Sequence, residues 1–231
     1  MSAALRRLGA TRRRMHVERR PVRSRPQTIA RRRDILDAAV EIFGSRGYAA
    51  GSLQEIADRV GMTHAGVLHH FGSKDQLLIE VLEHRDETDV AHLEGRHIPT
   101  GMPLFRHLVK TAFLNAQRAG IVQAFAVLSA ESVTHGHPGR AYFEERYANL
   151  RAEVVRAFHV VCAEHGVDAP DEIDAASASI LAVMDGLQVQ WLLDPEAVDL
   201  GRYTAFAIDA IVHAVVGADV EVLEPGSLPV P

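Results

Sequence analysis

One cysteine in 231 residues rules out a disulfide framework within the chain and fits a reducing cytoplasm. No run of about 18 consecutive apolar residues is present, so no membrane span is expected. Met1–Arg33 lacks an apolar stretch, so no secretory signal is expected either. Strand-like alternation and internal repeats are missing throughout. So are the signatures of common enzymes: there is no phosphate-cradling glycine loop, no G-x-S-x-G and no H-E-x-x-H. Catalysis is therefore not expected, nor is a bound cofactor.

Positive charge is scarce except at one end. Residues 1–33 carry twelve of the 25 Lys+Arg and a single acid, Glu18, leaving 13 basic and 29 acidic residues for the remainder. An acidic body with a basic arm implies a polyanionic partner met by the arm. Residues 1–27 hold too little apolar content to fold alone and read as a disordered Arg-rich arm, suited to phosphates or a minor groove. Inert tail and transit peptide are the competing readings of this segment.

The most informative stretch is Ser52–Leu78, SLQEIADRVGMTHAGVLHHFGSKDQLL. Ser52 with Glu55 forms a capping box, and Leu53, Ile56, Ala57 and Val60 follow on one helical face. Gly61 ends that helix, Thr63 caps a second through Val67, Leu68 and Phe71, and Gly72 breaks it. Ser73 with Gln76 opens a third. Two helices joined by a short glycine-containing turn make a helix-turn-helix, whose second helix enters the major groove of double-stranded DNA by its N-terminal residues.

Helical spacing continues on both sides. A first helix is expected over Thr28–Ser45, with Arg31, Arg32 and Arg33 in its first turn, a placement explained by a nearby phosphate. A connecting helix runs from Lys74 to about His92, followed by a loop over Gly95–Pro103. Further helices are expected over Leu104–Arg118, Ile121–Val133, Ala141–His165, Glu172–Leu193 and Arg202–Val216. The last two are apolar almost all round and so need cover on every face, which implies a homodimer formed through them. Ala176, Ser177, Ser179 and Gly186 would allow the close approach.

Arg33–Leu82 resembles the N-terminal domain of TetR-family transcriptional regulators. The features that carry it are Ala38, Ala39 and Phe43 of the first helix, Gly47 with Tyr48, Ile56-Ala57 with Gly61, the segment Thr63–Phe71, and Lys74. Met184–Pro195 is similar to the penultimate helix of many members. One departure stands out: Leu68 occupies the place of a tyrosine that contacts the DNA backbone in the family, and can offer only apolar contact.

The expected fold is all-α. It comprises the arm, a three-helix DNA-binding domain over residues 28–76, a helical ligand-binding and dimerisation domain over 77–222, and a tail over 223–231. DNA contacts are assigned to Ser52, Thr63, His64, Ala65, Gly66, His69, His70 and Lys74. His64, His69 and His70 are expected to become charged beside phosphate, so that DNA binding tightens as pH falls. The resemblance also implies a pocket for a small-molecule effector, with Phe105, Phe125, Tyr142, Tyr147, Met184, Gln188 and Trp191 as candidate lining. No metal is expected. His69 and His70 diverge by about 100° on a helix, and the pair His135 and His137 near Glu131 has no cysteine support. Cys162 reads as an inert buried thiol. The function implied is a ligand-responsive repressor that binds a pseudo-palindromic operator as a dimer. The alternatives are a helical binding protein or enzyme with a vestigial helix-turn-helix, or a general DNA-coating protein.

Overall fold

The computed structural model describes residues 26–90, 98–168 and 170–217. Most of the expected arm and the whole of the expected tail lie outside them. Among the described residues every regular element is a helix: α1 (Pro26–Ala50), α2 (Leu53–Arg59), α3 (His64–Phe71), α4 (Lys74–Val90), α5 (Met102–Asn115), α6 (Ala119–Glu131), α7 (Arg140–His165), α8 (Pro170–Leu193) and α9 (Leu200–Val216).

Local chemistry sets the short helices. The Ser52 hydroxyl accepts from the Glu55 N–H at 3.1 Å, and the Glu55 carboxylate accepts from the Ser52 N–H at 3.0 Å, closing the capping box. Thr63 caps α3 by accepting from the Gly66 N–H at 3.1 Å. Ser73 caps α4 through the Gln76 N–H at 3.0 Å.

α1 begins earlier and ends later than the periodicity predicts, and it is kinked. Gly47 lies at φ 74°, ψ 173°, a conformation that side chains other than glycine's rarely adopt. The cause is tertiary. The Glu131 carboxylate at the end of α6 lies under Gly47 and accepts from the Tyr48 N–H at 2.7 Å. Three residues earlier, Gly44 lets α1 approach the backbone of α6. A Cβ on Gly44 would stand 3.1 Å from the Ala124 Cα.

Two large apolar clusters form the interior. In one, Ile35, Phe43, Ile56, Val67, Phe71, Leu77 and Leu82 continue into Phe125, Leu128 and Phe143, so the α1–α4 core runs on into α6 and α7. The other joins α5, α7, α8 and α9 around Phe105, Phe158, Ile180 and Ile208. Trp191 lies in a smaller group with Ala112, Val122 and Leu200.

α8 departs from expectation in one respect. Over Asp171–Leu193 it is long and apolar enough, by length and composition, to cross a membrane, although no uninterrupted apolar run marks it. In this chain its Ile173, Ala176, Ile180 and Met184 face the second cluster.

Candidate DNA interface and effector cavity

α3 packs by Val67 and Phe71 and turns Thr63, His64, Ala65 and His69 outward. Thr63, His64 and Ala65 are exposed at the helix N-terminus, where unpaired backbone N–H groups favour phosphate, and His69 is exposed in its last turn. Gly66 is only half-exposed. A Cβ there would stand 3.1 Å from the Met62 Cε, so its small size also serves the turn.

The remaining assigned residues have structural duties. The Ser52 hydroxyl is engaged on both sides by Glu55. The Lys74 ammonium sits 4.4 Å from the centre of the Tyr48 ring and donates to the Ala49 carbonyl at 3.4 Å. His70 is half-buried, and its backbone carbonyl accepts from the Arg32 guanidinium at 2.5 Å. Partial burial pushes the His70 imidazole below the ordinary histidine range, and His69, Arg32 and Arg31 add to the effect. In the chain without DNA this direction opposes the charging expected of His70 beside a phosphate.

Two of the three arginines near the start of α1 have partners within the chain. Because α1 starts at Pro26, they lie beyond its first turn. Arg31 donates to the Val60 carbonyl at 3.3 Å, and Arg32 pairs with Glu80 and covers the Phe71 ring. Arg32 thus clamps α1 to α3 and α4, while Arg33 stays exposed.

His137 is likewise structural. Its Nδ1 accepts from the Gly139 N–H at 3.1 Å and lies 3.0 Å from the Ser132 hydroxyl, and its ring meets Tyr48 edge-on. No group of His, Cys, Asp and Glu among the described residues could hold a metal ion. Cys162 is buried, and burial raises its thiol.

A cavity of about 610 Å³ opens between α4, α5, α7 and α8. Phe125, Tyr142, Tyr147, Met184 and Gln188 line it. Phe105 and Trp191 do not. Phe105 packs at a tilt against Phe158, ring centres 4.8 Å apart, inside the second cluster, and Trp191 packs on α5, α6 and α9. The shared helical face of Met184, Gln188 and Trp191 therefore passes from the cavity into core within two turns.

Sequence reasoning missed the polar wall. Asp86 on α4 accepts from the Tyr142 hydroxyl and pairs with Arg146, both on α7. Arg85 is buried beside it, 3.6 Å from Asp86 and 3.8 Å above the Phe125 ring. Asp185 accepts from the Tyr147 hydroxyl at 2.6 Å. One signal was available: Asp185 is an acid inside the apolar run of α8.

Helix order, the exposed α3 face and the cavity beside α4 describe a helix-turn-helix unit followed by a larger helical unit that holds a cavity. Comparison with known proteins gives the class. Residues 35–81 match the model of bacterial regulatory proteins of the tetR family, and residues 106–216 match the BetI-type transcriptional repressor C-terminal model. The chain belongs to the TetR family.

The repressor Rv3405c of Mycobacterium tuberculosis is 50% identical over 50 residues, 22% of this chain and 27% of its own length. The repressor KstR2 of Mycolicibacterium smegmatis is 39% identical over 125 residues, 54% of this chain and 53% of its own. The chain thus spans about half or less of the length of these curated relatives. Among solved structures, the complex of SmeT with triclosan superposes at a TM-score of 0.69 and 22% identity, covering 87% of this chain and 98% of that one. SmeT is the repressor of a Stenotrophomonas maltophilia multidrug efflux pump. At that identity the likeness is one of fold.

Proposed function

We propose that this chain is a cytoplasmic, ligand-responsive transcriptional repressor that binds a pseudo-palindromic operator as a homodimer. The observation that carries the proposal is the position of α4. Its first residue, Lys74, follows the recognition helix by a two-residue break, and its Asp86 forms part of the cavity wall. One rigid helix therefore touches both the DNA-reading unit and the ligand space. SmeT, which shares the fold, has been solved with triclosan bound.

DNA contact rests on Thr63, His64, Ala65 and His69, with Gly66 allowing close approach. Ser52 and Lys74 hold the unit together and offer secondary contacts at its edge. Residues 1–27 supply additional phosphate contacts.

Dimerisation uses the outer faces of α8 and α9. On α8, Ala175, Ser179, Ala182, Gly186, Val189 and Leu193 are all exposed at helical spacing. On α9, Tyr203 and Phe206 are exposed, Phe206 by 77%. Small residues that permit close helix approach, flanked by the exposed Val189, Leu193, Tyr203 and Phe206, form the kind of apolar surface that marks an interface. Ala176 and Ser177 are not part of it, because both are buried within the chain.

Regulation follows from the wall. The Asp86 links to Tyr142 and Arg146 tie α4 to α7. A ligand that binds better when this tie is loosened shifts α4, and with it the spacing of the two α3 helices. A coupling of about 1–3 kcal/mol suffices for a 5–150-fold change in operator affinity.

The test is selection from random duplexes with the full chain, followed by footprinting and measurement of stoichiometry. A pseudo-palindrome protected by a dimer, and released by some member of a small-molecule library, supports the proposal. Recovery of unrelated sequences with no symmetric protection would refute it.

A further inference from the structure

The cavity has an unbalanced charge at one point. Five carboxylates line it, against the two guanidinium groups of Arg85 and Arg146. Three of the five are accounted for or peripheral: Glu83 and Glu145 are exposed, and Glu153 pairs with Arg156 at 2.5 Å. Asp86 is held by Arg146, by Arg85 and by Tyr142. Asp185 is the exception. Among the described residues its only hydrogen-bond partner is the Tyr147 hydroxyl, and no Lys, Arg or His reaches it within ion-pair distance.

Its chemistry is that of a carboxylate lacking a counter-ion. Burial pushes the Asp185 carboxyl above the ordinary carboxylate range, more than Tyr147, Arg85 and Arg146 pull it down. A half-buried acid on an apolar helix costs stability unless a cation joins it. The two arginines do not invite an anion instead. Both converge on Asp86, and both lie over the Phe125 ring, at 3.8 Å and 4.9 Å. An anionic ligand would also face Asp185 and the acidic rim.

The rest of the wall wants an apolar body. Leu104, Leu108, Val154, Leu181 and Met184 contribute aliphatic surface beside the tyrosine rings. One further polar group there is unsatisfied. Asn115 is 1% exposed, its Oδ1 accepts from Arg118 at 2.8 Å, and its Nδ2 has no acceptor.

We infer that the cavity takes a hydrophobic organic cation, a protonated amine or quaternary ammonium on an aromatic or branched aliphatic body, with Asp185 as its counter-ion. This rests on the proposal that the cavity is the effector site, and narrows it to one charge class.

The experiment is calorimetric titration of the full-length dimer with three probes that share one body: phenylbutylamine, phenylbutanol and phenylbutyrate. The amine is expected to bind at least about tenfold more tightly than either the alcohol or the acid, the worth of one charged hydrogen bond. In Asp185→Asn the amine is expected to fall to the level of the alcohol, while alcohol binding persists. Wild-type protein that prefers the alcohol or the acid would overturn the cation assignment and leave the effector site standing. An amine preference that survives in Asp185→Asn would overturn Asp185 as the counter-ion. Binding by none of the probes overturns the assignment, and the small-molecule release screen then decides separately whether an effector site exists. The wild-type ranking alone is decisive if the variant does not fold.

Discussion

The Glu131 carboxylate, at the last residue of α6, accepts from the Tyr48 N–H at 2.7 Å directly beneath the Gly47 kink. This bond fastens the end of α1 to a helix whose Phe125 lines the cavity. His137 stands 3.9 Å from the same carboxylate and packs edge-on against Tyr48. Tyr48, Glu131 and His137, from three segments, thus depend on one glycine having no side chain.

Gly47→Ala is therefore expected to be severe. The backbone strain costs about 1–3 kcal/mol, and a Cβ at this position would overlap the Glu131 carboxylate. At about 2–4 °C per kcal/mol for a chain of this size, Tm should drop by about 2–12 °C. Thermal unfolding by circular dichroism checks it. An unchanged Tm would mean that the kink relaxes without cost.

His70 gives a pH signature. Its imidazole is depressed in the folded chain, so the unfolded chain takes up the proton first. Stability is thus lost as pH falls below the ordinary value of 6.5, and is retained above it. His70→Gln should remove part of that loss, so the variant gains on wild type as pH falls from neutrality toward 5. Parallel denaturation curves for the two proteins across that range would contradict the assignment.

The outer stripe can be tested without disturbing the fold. A Cβ on Gly186 meets nothing within 4 Å, and Phe206 is 77% exposed. Gly186→Arg and Phe206→Glu should each yield folded monomers with wild-type helicity and no specific operator binding. Analytical ultracentrifugation at micromolar concentration reads this out. Ala176→Arg should instead unfold the chain, because Ala176 lies in the second cluster. A wild-type monomer would defeat the dimer model.

Asp185→Asn should raise stability at neutral pH. A carboxyl whose folded value is raised is penalised once the pH exceeds its unfolded value, and the penalty is complete above its folded value. Asparagine escapes the penalty and still accepts from the Tyr147 hydroxyl. The variant's higher Tm at pH 7 should vanish as pH falls below the ordinary carboxyl value of 3.8. A variant less stable at neutral pH would show that the free protein already supplies Asp185 with a favourable partner.

The sequence announced the helices well because their ends are chemically local. Ser52 with Glu55, Thr63 and Ser73 are caps whose partners lie three residues away, and the structure shows those bonds. Of the assigned cavity residues, the five that line the space come from helices whose buried faces were apparent. Phe105 and Trp191 were misplaced because spacing gives the buried face of a helix but not its neighbour there. The polar wall was illegible for another reason. Arg85 and Asp86 sit in a charged stretch that reads as solvated, and only the packing of α7 against α4 turns them inward. The same holds for Arg32, whose partner Glu80 is 48 residues away.

The most direct test of the central claim is a fluorescence-anisotropy titration at one fixed salt concentration. It compares the selected duplex with a scrambled duplex of equal length and composition, for wild type and for a Thr63→Ala, His64→Ala double variant. The account predicts that wild type binds its selected duplex at least about a thousandfold more tightly than the scrambled one, and that the double variant loses most of this preference while keeping its affinity for the scrambled duplex. Equal wild-type affinity for both duplexes would contradict the account and leave a protein that binds DNA by charge alone.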